Sequence, residues 1–138
     1  MSAFPENPIP GPTAKKREVR VLSVARDQQL QLWRDELLRR QGYKVMEART
    51  AADAMSALGK PLDVIVFGHR IPEEERSQIA TMGKTVQPGI KIIMLYLGTI
   101  RRTEQADAVL NVAGRPDDLV RTIEHLLGST EEGPAPRR

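Results

Sequence analysis

The chain contains no cysteine, which excludes a disulfide scaffold, a thiolate nucleophile and every sulfur-ligated metal or cluster. Aromatic side chains are nearly as scarce. Trp33, Tyr43, Tyr96, Phe4 and Phe67 are all there are in 138 residues, so a core has to be built from Leu, Ile, Val, Met and Ala, which suits α/β layers better than an antiparallel sandwich. The two histidines, His69 and His125, are too few for a His-based metal site unless carboxylates complete it. No run approaches the roughly 20 apolar residues of a membrane span, and no basic segment followed by an apolar one opens the chain. The expected location is therefore the cytoplasm, with no membrane partner.

A large charge imbalance is also lacking. The net charge is +3. Residues 1–17 hold Lys15, Lys16 and Arg17 against Glu6, whereas residues 18–127 hold 16 basic against 15 acidic side chains. Interspersed charges of both signs make a poor phosphate-neutralising groove, so nucleic acid is not the expected partner.

What is present divides into three parts. Residues 1–17 form a leader with prolines at 5, 8, 10 and 12, and residues 128–138 form a tail; neither composition can bury enough surface to order itself. Between them, residues 18–127 alternate short apolar runs with helical periods. Strands are expected over 19–24, 43–48, 62–67, 90–95 and 108–112. Helices are expected over 28–41, with Leu30, Trp33, Leu37 and Leu38 as its core stripe, and over 51–58, capped by Thr50. A third is marked by Ile79, Met82 and Val86. The last begins near Pro116, turns Leu119, Val120, Ile123, Leu126 and Leu127 inward, and stops at Gly128. Five strands alternating with helices give a doubly wound parallel sheet, whose ligands belong at the carboxyl ends of the strands. The stretch from Tyr96 to Asp107 leaves only ten residues for a crossover that usually takes at least about 10 to 12, so a fourth helix there is shortened or irregular.

Three segments, VRVLSVARD, LLRRQGYKVMEARTAADAMSAL and PLDVIVFGHRIP, together resemble the receiver domain of response regulators, over about residues 18–127. The resemblance implies a flavodoxin-like fold and two-component, phosphorelay signalling of bacterial type. In that family two acids after the first strand hold Mg²⁺, an Asp after the third strand accepts the phosphoryl group, a Ser or Thr ends the fourth strand and a Lys precedes proline after the fifth. Here the acid pair falls on Ala25 and Arg26, or on Arg26 and Asp27 with a shift of one. The phosphoacceptor position falls on Gly68 and the Ser/Thr position on Tyr96. The Lys position is either Arg115 or a residue near Val112, and the aromatic switch residue of the fifth strand is missing. Phosphoryl transfer needs a nucleophilic oxygen and a carboxylate-held metal; Gly68 offers no side-chain oxygen, and Arg26 sets a permanent cation where the metal would sit.

The remaining polar residues have plain readings. Asp27 is an N-cap of the first helix, an ion-pair partner of Arg26 or Arg115, or both. His69 is a half-exposed loop residue rather than a phosphoryl acceptor, and His125 faces solvent. Glu73, Glu74 and Glu75 are a solvated first helical turn, not a metal cluster. Arg101 and Arg102 lie in the shortened crossover. No nucleophile has a base beside it and no glycine-rich phosphate loop occurs, so an enzyme is not expected, nor is a cofactor or metal. The expected function is a stand-alone receiver-like module that acts by protein–protein interaction without phosphorylation, with a second copy of the chain among the partners considered. The alternative is an anion or nucleotide-like ligand held at the strand ends by Arg26 and Arg115. Arg26, Asp27, His69, Tyr96 and Arg115 are the candidate site residues.

Overall fold

The computed structural model describes residues 18–98, 105–112, 115 and 117–132. The leader 1–17, the end of the tail, Arg101, Arg102, Pro116 and most of the shortened crossover lie outside the described residues. Within them the order is β1 (Arg20–Val24), α1 (Gln28–Arg40), β2 (Lys44–Ala48), α2 (Ala51–Ala57), β3 (Val64–Phe67), α3 (Glu73–Val86), β4 (Lys91–Tyr96), β5 (Ala108–Asn111) and α4 (Asp117–Glu132). All four strand pairings are parallel, in the order β2-β1-β3-β4-β5.

Strand side chains alternate between two cores because successive residues point to opposite faces. Leu22, Val24, Ile65, Phe67, Ile92 and Met94 pack with α2 and α3. Val21, Val64, Val66, Ile93 and Leu95 pack with α1 and α4. Both faces of β3 are covered, which is why its four residues are all apolar and all buried.

Local signals set the ends of these elements. The Asp27 carboxylate accepts the Leu30 amide at 3.2 Å, and the Thr50 hydroxyl accepts that of Asp53 at 3.0 Å, so both expected caps are formed. Gly42, at φ 93°, turns the chain from α1 into β2. Asp63 accepts the Arg20 amide through its side chain at 2.8 Å and donates its own amide to the Arg20 carbonyl, pinning the start of β3 against β1. Gln87 does similar work after α3: its amide group donates to the carbonyls of Leu58 and Lys60, and its oxygen accepts the Leu62 amide.

Three expectations need correction. Trp33 does not belong to the core: it is 60% exposed, and Leu30 is 42% exposed, because the buried line of α1 runs through Gln31, Asp35 and Leu38. Met82 and Val86 are likewise exposed, since α3 turns Arg76, Ile79, Ala80 and Gly83 inward. The last helix does not stop at Gly128 but runs to Glu132. Gly128 does not take the positive φ of a helix-ending glycine, and a glycine inside a helix costs only about 1 kcal/mol. The tail boundary expected at residue 128 therefore falls inside α4.

Candidate functional site

The chain runs outward from β1 to β2 and then returns across it to β3, so the switch point lies between the carboxyl ends of β1 and β3. That is where this topology holds ligands. Ala25 and Gly68 meet there, the Gly68 amide donating to the Val24 carbonyl at 2.8 Å. A Cβ placed on Gly68 would come within 3.2 Å of the Ala25 Cβ and 3.4 Å of the Val24 carbonyl oxygen. The position is snug, its tightest neighbour being the Ala25 methyl, and it carries no side-chain oxygen.

Arg26, Asp27, Arg34, Gly68, His69 and Arg70 line the depression that remains, about 10 Å³ in volume, barely enough for one water. Its charges are already paired in part. Arg26 forms an ion pair with Glu75 on α3, and Arg70 approaches the Asp27 carboxylate at 3.9 Å. The expected pairing of Asp27 with Arg26 or Arg115 is thus replaced, because α3 carries Glu75 close to Arg26 and the turn after β3 carries Arg70 over Asp27. His69 is half-buried as read. Burial lowers its pKa below the ordinary histidine value, helped by the Arg70 and Arg34 charges.

These residues do not fit Mg²⁺. The ion takes oxygen ligands in near-octahedral array, and the one carboxylate lining the depression, Asp27, caps a helix among three arginines. The glutamates of α3 do not form a metal cluster either: Glu75 pairs with Arg26, Glu73 accepts the Tyr96 hydroxyl at 3.1 Å, and no group of three potential metal ligands occurs among the described residues.

The sequence-predicted site residues fall in three places. Arg26, Asp27 and His69 surround Gly68. Tyr96, buried at the end of β4, points to the other face of the sheet, under α3. Arg115 is exposed and lines a separate cleft between α1 and α4, its amide donating to the Asp118 carboxylate at 3.2 Å. Val112 directly follows β5 and donates its amide to the Tyr96 carbonyl at 2.7 Å.

The most consequential residue at the strand ends escaped the sequence reading. Arg76, on the second turn of α3, is 2% exposed. Its Nε donates to the Ile71 carbonyl at 3.0 Å, and its Nη2 to the carbonyls of Gly68 at 3.0 Å and Leu95 at 2.9 Å. The guanidinium also lies 4.4 Å from the centroid of the Tyr96 ring, within cation–π range. One cation therefore ties together the ends of β3 and β4 and the residue at the Ser/Thr position. Burial lowers its pKa from the usual arginine value, with Tyr96 and Glu73 opposing the shift; arginine still keeps its proton.

A five-stranded parallel sheet in this order, with helices on both faces, defines the doubly wound, flavodoxin-like class. Within that class the chain has the fold of a response-regulator receiver domain. A CheY-like receiver domain from Methanospirillum hungatei superposes with a TM-score of 0.71 at 24% identity, covering 85% of this chain and all of that one. The receiver domain of an HD-domain protein from Pseudomonas fluorescens gives 0.73 at 15% identity, over 84% and 99% of the two chains. An adenylate cyclase structure from Rhodopirellula baltica gives 0.70 at 21% identity, over 84% and 96%. No family model matches the sequence, and no curated protein matches it.

Proposed function

We propose that the chain is a receiver-like signalling module that works without phosphoryl transfer and acts by binding another protein. The observation that carries this reading is Gly68 at the end of β3, which has no side-chain oxygen and where an added Cβ would meet the Ala25 methyl at 3.2 Å. Phosphoryl transfer is positioning and charge stabilisation around an oxygen nucleophile. At this switch point Gly68 supplies no such oxygen, and an added Cβ would crowd the Ala25 methyl. The Arg76 guanidinium supports the same conclusion, because it already occupies the strand-end carbonyls with a permanent charge. Exposed apolar side chains on α1 (Leu30, Leu32, Trp33), on α3 (Met82, Val86) and at Leu97 supply surface for a protein partner.

Titration with beryllofluoride and Mg²⁺, followed through backbone amide resonances, tests the proposal. Ala25, Arg26 and Gly68 are expected to stay within experimental error of their starting positions at millimolar reagent. Saturable shifts at those amides with micromolar affinity would overturn it.

A further inference from the structure

α1 meets the edge of the sheet along a polar seam. Gln31, Asp35 and Arg39 stand one above another at successive turns, and this line of the helix faces β1 and β2. Gln31 Nε2 donates to the Ser23 carbonyl at 2.9 Å, and Arg49 Nε donates to Gln31 Oε1 at 3.2 Å. At the other end, Arg39 Nη2 donates to the Val45 carbonyl and to the Glu47 carboxylate, each at 3.4 Å. Ser23 and Glu47 are register partners on the adjacent strands. Both therefore project on the face that Val21 and Val45 share with α1.

Asp35 occupies the middle of the seam, fully buried, and neither carboxyl oxygen has a hydrogen-bond partner among the described residues. The groups that face it are the Glu47 carboxylate of β2, the Ser23 hydroxyl of β1 and, from α1 itself, the Arg34 guanidinium. Burying a charge without such partners is costly, and two carboxyl groups in one site resist joint ionisation. Burial first and the Glu47 carboxyl second push the Asp35 pKa up to about 7. Glu47 is the member of the pair that keeps its charge, because Arg39 offsets it.

We propose that α1 is a proton-controlled element: Asp35 and Glu47 hold one proton between them, and its loss drives α1 away from β2 while the rest of the sheet stays folded. The helix carries Leu30, Leu32 and Trp33 on its outer side, so opening the seam moves that apolar surface with it. In the opened state Asp35 returns to the ordinary carboxylate range near 4, and opening releases a proton. The opening equilibrium is therefore flat below about pH 4, rises by up to about tenfold per pH unit, and levels off above the raised pKa. His69, after β3, has a lowered pKa and acts in the opposite sense. The inference does not depend on the signalling reading, since insensitivity to beryllofluoride and a proton-controlled α1 can each fail alone.

Amide hydrogen exchange of the full chain, resolved by residue between pH 5 and pH 7 and expressed as protection factors, tests the proposal. Amides of Trp33 to Leu38 are expected to lose at least about tenfold in protection over that range, while those of Ile79 and Ala80 on α3 change by less than about twofold. Asp35→Asn, which keeps the size and removes the titration, should abolish the loss. Glu47→Gln, at a partly exposed position, should shrink it severalfold, because Asp35 then ionises nearer its ordinary range. The carbon-13 resonance of the Asp35 carboxyl should titrate at least about two pH units above the ordinary aspartate value. Equal losses in α1 and α3 would make the effect one of global stability and overturn the proposal. A full loss persisting in Asp35→Asn or Glu47→Gln, or an Asp35 carboxyl titrating near its ordinary value, would do the same.

Discussion

Arg76 shows how one side chain can replace a network. Its guanidinium serves three carbonyls from two strand ends and the intervening turn, and stacks on a buried ring. Charged donors make stronger hydrogen bonds than neutral ones, and removing this one would leave three acceptors in an apolar setting. Arg76→Met is therefore expected to lower unfolding free energy by about 3 kcal/mol, read from urea denaturation. Tyr96→Phe keeps the ring under the guanidinium and removes only the hydroxyl bonded to the exposed Glu73, so it should cost about 1 kcal/mol or less. Equal losses in the two variants would place the stabilisation in the hydroxyl rather than in the cation. Nothing in the sequence distinguishes Arg76 from a solvated arginine following a charged first turn, because its partners are backbone carbonyls up to 19 residues away.

At the level of elements, the inward faces of α1 and α3 and the end of α4 were the parts misread. The strands were legible from their β-branched runs and α2 from its cap, since both depend on local patterning. The inward face of α1 was legible only at Leu38, because Leu30, Trp33 and Leu37 share the spacing of a core stripe with it while the structure buries Gln31 and Asp35 beside Leu38. The same limit applied to the site: the residues beside Gly68 could be placed by their position after a strand, but their ion-pair partners on α3 and in the following turn could not. Turning α1 inward on Gln31 is accommodated by hydrogen bonds. Its Nε2 donates to the Ser23 carbonyl at 2.9 Å, and its Oε1 accepts Arg49 Nε at 3.2 Å. Asp35 has no such compensation. Burial, reinforced by the Glu47 carboxylate, pushes its pKa up to about 7. A carboxyl that holds its proton longer in the folded chain than in the unfolded one loses stability as pH rises from about 4 to 7. His69, with a lowered pKa, acts in the opposite sense as pH rises towards the ordinary histidine value. The difference between Asp35→Asn and the parent chain isolates the first effect: the variant's advantage in Tm should grow between pH 5 and pH 8. A constant difference across that range would remove Asp35 as the source.

Taken as a whole, the molecule is two cores sharing one sheet, with β3 contributing Ile65 and Phe67 to one and Val64 and Val66 to the other. Neither core can lose the sheet without exposing the second. Urea unfolding should therefore superpose when followed by Trp33 fluorescence, beside α1 and α4, and by the ring of Tyr96, beneath α3. Separated midpoints would show that the layers melt independently. The terminal strands of the same sheet also limit how copies or partners can join it. β2 carries Lys44 and Glu47, whose side chains pair with Glu18 and Arg39, and β5 offers only four residues. A chain that aligned itself along either rim would have to strip charged groups of water on one side or settle for a ladder of very few rungs on the other. Recognition by main-chain zippering is thereby disfavoured, as is fibre growth from the rims, and a partner is left to read side chains on the helical faces.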